Sequence, residues 1–136
     1  MSHLETVQGI YQDFGSGNIP GILAKIAPDA AWEQWETSRT VQEQGVPWLA
    51  AGTGPEAVVA FFTAIASKFD FTQFVVQNML EGGNQVAATV KMSVTDKATG
   101  TTFSDEEVQL WTFNDAGQVS GMRHYLDSAR HIAAAG

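Results

Sequence analysis

The chain has 136 residues, 44% of them hydrophobic and 16% charged, with seven Lys and Arg against fifteen Asp and Glu for a formal net charge of −8. That length predicts a single domain over residues 1–136, and the apolar content excludes intrinsic disorder. The acidic excess repels phosphate backbones and anionic lipid, so neither nucleic acid nor membrane is an expected partner, while the absence of Cys excludes disulfides, thiolate nucleophiles and Cys-ligated metals. The opening Met1-Ser2-His3-Leu4-Glu5 shows no basic stretch leading into an apolar run, and no stretch has the ~18 apolar residues of a membrane helix. A cytoplasmic location is expected.

Leu4, Val7, Ile10, Tyr11 and Phe14 recur at helical spacing and predict a helix over residues 3 to 15, stopped by Gly15-Ser16-Gly17. Asn18 is placed to cap a second, short helix with Pro20 in its first turn. Ile19, Ile22, Leu23 and Ile26 would form its buried stripe, and Pro28-Asp29 would end it. Ala30 to Thr37 reads as a strand, with Trp32, Gln34 and Glu36 on one face and Ala31, Glu33 and Trp35 on the other. Residues 38 to 54 lack periodicity and read as a loop whose Trp48 should fold back onto the body. Pro55 to Phe69 carries the strongest helical pattern, through Val58, Phe61, Phe62, Ile65 and Phe69.

Beyond Phe69 the period changes to two. Strands are predicted from Phe71 to Glu81, Gln85 to Thr95, Thr101 to Phe113 and Gln118 to Leu126, with Asn114-Asp115-Ala116-Gly117 as a tight hairpin. The alanine-rich tail from Asp127 to Gly136 would add a helical turn or fray. Helices grouped outside a run of hairpins imply an α+β layer fold, and a curled sheet under three helices can enclose a cavity.

No phosphate-binding glycine loop, HExxH, GxSxG or EF-hand pattern is present, so no cofactor is expected. With only His3, His124 and His131, the last two of the three being a strand residue and a tail residue, no metal is expected either. On the strand before the tight hairpin, Glu107, Gln109, Trp111 and Phe113 share one face. His124 shares a face with Met122 and Leu126 that looks apolar, which turns it inward as a candidate proton carrier or as a core histidine bonded to a neighbouring strand. Trp32, Trp35, Trp48 and Trp111 are open to two readings, packing or the aromatic wall of a small-molecule pocket. Asp105-Glu106-Glu107 reads as a solvated strand start, or as a source of acid–base carboxylates if one is buried.

The strings Tyr11-Gln12-Asp13-Phe14-Gly15-Ser16-Gly17-Asn18 and Ala27-Pro28-Asp29-Ala30-Ala31-Trp32-Glu33, followed by Trp111-Thr112-Phe113-Asn114-Asp115-Ala116-Gly117-Gln118-Val119 and Arg123-His124-Tyr125-Leu126-Asp127, resemble the SnoaL-like, ketosteroid-isomerase-like branch of the NTF2-like superfamily. The likeness runs in order over nearly the whole chain. It implies an α+β fold, a cone-shaped, curved antiparallel (mixed) sheet with N-terminal helices packed on its concave face. It also implies an internal pocket for a small hydrophobic molecule and a homodimer formed through the sheet. One activity is not implied, because the fold hosts isomerases, cyclases, hydrolases and binding modules.

Within that resemblance, the aspartate base of ketosteroid isomerases falls on Gln34 and their protonated aspartate on Gln109. Their tyrosine donor falls on Ile10, with Tyr11 beside it pointing elsewhere. Glutamine is no base near neutral pH, so steroid isomerisation of that kind is not expected. The acidic residue that limonene-epoxide-hydrolase-like members carry in the last strand falls on His124, without their arginine–aspartate partners. SnoaL-like cyclases enolise a polyketide with a pocket acid–base group, a role that suits His124. The expectation is acid–base chemistry by His124 on a small, carbonyl-bearing molecule, held by Trp32, Gln34, Glu107, Gln109, Trp111 and Met122. A non-catalytic ligand-binding or dimerisation module is the alternative.

Overall fold

The computed structural model describes residues 2–36 and 39–136. Helix α1 spans His3–Gly15 and starts with a capping box: the Glu5 amide donates to Ser2 Oγ at 3.1 Å and the Ser2 amide to Glu5 Oε1 at 3.1 Å. A short α2, Ile19–Leu23, follows, its first turn capped by Asn18. It ends earlier than its apolar stripe predicts. Ile26 already belongs to strand β1, Ile26–Trp32, which contains Pro28. The proline is tolerated because pairing with the neighbouring strand is interrupted by an irregularity between Ile26 and Ala31.

The expected strand to Thr37 stops at Trp32 because Glu33 adopts a positive φ of 55°, a left-handed conformation that breaks two-residue alternation. Thr37 and Ser38, where that strand was to end and the loop to begin, lie outside the described residues, as does Met1. The segment read as a loop carries a one-turn helix α3, Thr40–Glu43, a 3-10 turn Pro47–Leu49, and strand β2, Gly52–Thr53. Trp48 is buried. Helix α4, Gly54–Lys68, begins at a glycine with φ +70°, where a Cβ would lie 2.4 Å from the Pro28 carbonyl oxygen; only glycine meets both demands.

Strands β3 (Phe69–Gly82), β4 (Gln85–Asp96), β5 (Thr102–Phe113) and β6 (Val119–Tyr125) form the meander. The sheet order is β2-β1-β6-β5-β4-β3, with β1 and β6 parallel and the other neighbours antiparallel. The sheet is mixed, curved and unclosed. The tail forms helix α5, Ser128–Ala135, capped by Asp127, rather than fraying, and His131 on it is buried. No helix among the described residues is long and apolar enough to cross a membrane.

Register places Val90 opposite Glu107, Ala88 opposite Gln109, Gln109 opposite His124, and Trp111 opposite Met122. All of these are buried on the inner face of the sheet. Two apolar clusters meet there: one around Val7, Ile10, Trp32 and Trp111, the other around Trp48, Leu49, Val90 and Met92.

Candidate acid–base site

Between the inner face, α1 and α4 lies an apolar cavity, about 70 Å³ of it open to the centre of a water molecule. A single water needs ~10–15 Å³ by that measure, so the space is larger than one water. Its walls include Ile10, Phe14, Trp32, Phe61, Phe62, Phe74, Trp111 and Met122, and its polar groups are Tyr11, Trp48, Glu107, Gln109, His124 and His131.

The positive φ at Glu33 turns its carboxylate back into the body, where the residue is fully buried. Its Oε1 accepts the His124 main-chain N–H at 3.1 Å and pairs with ring Nδ1 of His124, while Oε2 accepts the Trp35 indole N–H at 2.8 Å. Gln42 on α3 donates to the Glu33 carbonyl and to the Leu49 carbonyl, which ties the segment after α3 to the backbone of Glu33. On the other side of the ring, His124 Nε2 lies 3.7 Å from Glu107 Oε1. Burial lowers the imidazole pKa, but the Glu33 charge and hydrogen bond, helped by Glu107, overcome it and push the value up to about 9. His124 is therefore an imidazolium at neutral pH.

Burial likewise opposes ionisation of Glu107. The nearby His131 Nε2–H, the His124 charge and the Gln109 amide outweigh it, and its carboxyl is held below the usual carboxylate value. Gln109 Nε2 donates to Glu107 Oε1 at 2.8 Å, and Gln109 Oε1 accepts from the Tyr11 hydroxyl at 2.6 Å. Trp111 Nε1 then donates to the Tyr11 oxygen at 3.0 Å. Burial pushes the Tyr11 phenol pKa up, against the Trp111 hydrogen bond, with Glu107 adding to the rise, so the ring stays a neutral donor.

The second histidine sits in a different arrangement. The Trp48 indole N–H reaches His131 Nδ1 at 2.9 Å. An indole nitrogen only donates, so Nδ1 is the bare nitrogen and the ring proton is on Nε2, donating to Asp105 Oδ2 at 2.8 Å with Glu107 Oε2 at 3.7 Å. Asp105, Glu107 and His131 each offer a ligand atom within 4.8 Å of the others, but a metal on Nε2 would have to displace that proton while Nδ1 still accepts from Trp48. Ligating histidines instead donate from their second nitrogen. The cluster is built for hydrogen bonding and does not fit a metal.

The SnoaL-like domain profile matches residues 7–122. The chain belongs to the SnoaL-like family. Among solved structures it is similar to an NTF2-like protein of unknown function from Burkholderia pseudomallei (TM-score 0.80, 23% identity, covering 98% of this chain and 97% of that one). It is also similar to an NTF2-like protein from Burkholderia thailandensis (TM-score 0.83, 19% identity, 100% and 98%). A third is a Mycobacterium tuberculosis protein in complex with estradiol-17β-hemisuccinate (TM-score 0.71, 21% identity, 91% and 92%). These likenesses establish the NTF2-like fold. No curated protein matches the chain in sequence.

In this SnoaL-like domain the structure brings six of the seven residues singled out from the sequence to one cavity: Trp32, Glu107, Gln109, Trp111, Met122 and His124. Gln34 is not among them. It is exposed, its amide donating to the Gly52 carbonyl at 2.8 Å and to Thr53 Oγ1 at 3.2 Å, because the kink at Glu33 inverts the faces of the residues after it. Tyr11, expected to point elsewhere, faces Gln109 and Trp111. Asp105 and Glu107 are buried rather than solvated, and only Glu106 between them is exposed. His124 lacks the arginine–aspartate partners of the epoxide-hydrolase-like members but faces two carboxyl groups, Glu33 and Glu107.

Sequence reasoning missed Glu33 and His131 as site residues, and offered Asp105 only within a run of carboxylates whose burial it could not read. Glu33 sits one position before the place expected for the base, and no periodic signal marks a left-handed residue. For His131 a signal existed in Asp127, a helix-capping residue four positions earlier.

Proposed function

We propose that this SnoaL-like domain catalyses proton transfer on a small, apolar carbonyl compound, with Glu107 as base, His124 as acid and Glu33 holding the imidazolium in place. The observation that carries this reading is the 3.7 Å gap between His124 Nε2 and Glu107 Oε1 at the wall of an apolar cavity. It is too long for a hydrogen bond, leaving a donor and an acceptor side by side for one substrate. Glu107 would take the proton from the carbon next to the carbonyl, and that C–H pair would become the C=C bond. The carbonyl π pair would move to oxygen, which takes the Nε2 proton of His124. The product is an enol, and return of the proton to carbon at a new position, or attack by the enol carbon on an internal electrophile, would complete an isomerisation or a cyclisation.

The test is α-carbon deuterium exchange in 2-tetralone, followed by NMR. Wild type should accelerate it, and E107Q and H124Q, checked for folding, should each lose ~10²–10⁴-fold. The rate should fall as pH rises through about 9, where His124 gives up its proton. Exchange no faster than in buffer would sink the catalytic reading. The second reading, a ligand-binding module, is favoured by the closed Trp111–Tyr11–Gln109–Glu107 hydrogen-bond chain, which engages most polar groups of the cavity with each other. Unaccelerated exchange together with tight 2-tetralone binding would select it.

A further inference from the structure

The charges around the cavity do not balance. Glu33, Asp105 and Glu107 are three buried acidic side chains. Against them stand the His124 imidazolium and a His131 ring whose Nδ1 must stay bare to accept from Trp48, so three buried carboxyl groups share one buried cation. No Lys or Arg is among the described residues that line the cavity, and Arg123 on β6, next to His124, is stacked between the Trp35 and Tyr125 rings, 4.5 and 4.2 Å from their centroids. Trp32, which lines the cavity and is 2% exposed, keeps a buried indole N–H without a partner. A buried donor left unpaired is costly and calls for an acceptor.

We propose that the cavity is selective by charge, taking an uncharged ligand that carries a carbonyl acceptor and rejecting a carboxylate of the same skeleton. The inference rests on the acid–base reading above for its ligand class and on the charge distribution for its selectivity. In a low-dielectric cavity the Coulomb penalty of a further negative charge beside Glu107 is weakly screened. A ketone oxygen accepts from the orphan indole or from His124 Nε2 without adding charge. Substrates of the reaction are then neutral ketones or esters rather than keto acids.

Three ligands of one skeleton test this in the full chain: 2-tetralone, 1,2,3,4-tetrahydro-2-naphthoate and 2-aminotetralin. Dissociation constants at pH 7 would come from quenching of the cavity tryptophans and from calorimetry. The ketone should bind at least tenfold tighter than the carboxylate, and the ammonium ligand also tighter than the carboxylate. A carboxylate that binds within twofold of the ketone, or better, overturns the proposal. In E107Q the carboxylate should gain at least fivefold relative to the ketone, and an unchanged ratio counts against the charge as cause.

If E107Q does not fold, wild type serves between pH 7 and pH 10. Loss of the His124 proton, faced by Glu33 from the segment after β1, by Glu107 from β5 and by the Phe61 ring from α4, should widen the ketone-to-carboxylate ratio; a narrowing ratio overturns the proposal. Selective binding of the ketone without α-exchange would remove the catalytic reading and leave this one standing. Exchange with equal binding of ketone and carboxylate would do the reverse.

Discussion

His124 and His131 lie in one cavity, each with Nε2 3.7 Å from an oxygen of Glu107, yet they hold different proton counts. The difference is made at the other ring nitrogen. Nδ1 of His124 meets the Glu33 carboxylate, which accepts and carries charge, so the ring keeps both protons. Nδ1 of His131 meets the Trp48 indole, which donates, so the ring has one proton and one defined tautomer. Two histidines at equal distance from the same carboxylate thus become an acid and a neutral hydrogen-bond donor. The partner that sets each state stands on the far side of the ring, away from Glu107.

The largest expected effect comes from removing the charge behind His124. E33Q should cost ~3–5 kcal/mol of stability, because breaking one side of a buried pair leaves its partner uncompensated, and thermal or urea unfolding would measure it. The sign with pH is fixed by the direction of the shift. A folded-state pKa raised from 6.5 to about 9 adds stability, ~3 kcal/mol at most, that is fully present below pH 6.5 and lost as pH rises through 9. Wild type should therefore lose stability between pH 7 and 9.5, and E33Q should show a flatter dependence over that range. An equally steep E33Q curve would separate His124 from its assigned partner.

A smaller change tests the other histidine. H131Q removes the Nε2–H group that stands 3.7 Å from Glu107 Oε2 and favours its ionised form, so the Glu107 carboxyl should titrate higher and the acid limb of the exchange rate should move to higher pH, and loss of the His131 hydrogen bonds to Asp105 and Trp48 should cost ~1–3 kcal/mol of stability. A purely structural His131 would lower stability and leave the limb in place. W48F should act on the tautomer instead. Nitrogen-15 NMR of wild type at pH 7 should show His124 protonated on both nitrogens and His131 on Nε2 alone, and W48F should convert His131 to a mixture of tautomers. The smallest effect is expected from Q34A, outside the cavity. It should leave exchange and 2-tetralone affinity unchanged and cost no more than ~1 kcal/mol, whereas a loss of ligand affinity would return Gln34 to the site.

Much of the scaffold was legible because it rests on local rules. Helices α1 and α4 and the β3–β6 meander follow hydrophobic period and turn chemistry, and alternation on β5 correctly groups Glu107, Gln109 and Trp111 on the buried face. The boundary between α2 and β1 was misplaced because an apolar stripe serves a helix and a buried strand equally, and Pro28 read as a stop although an irregular strand pair accommodates it.

The sequence by itself determined the α+β order, the inward face of the hairpins and an inward His124, since each depends on residues a few positions apart. Only the tertiary structure decided the protonation of the site. Glu33 and His124 are 91 positions apart, and Trp48 and His131 are 83. The kink at Glu33 and the docking of α5 bring those partners together. A proton's free energy depends on burial and on charges within a few ångströms, and those distances exist only once the chain has closed on itself.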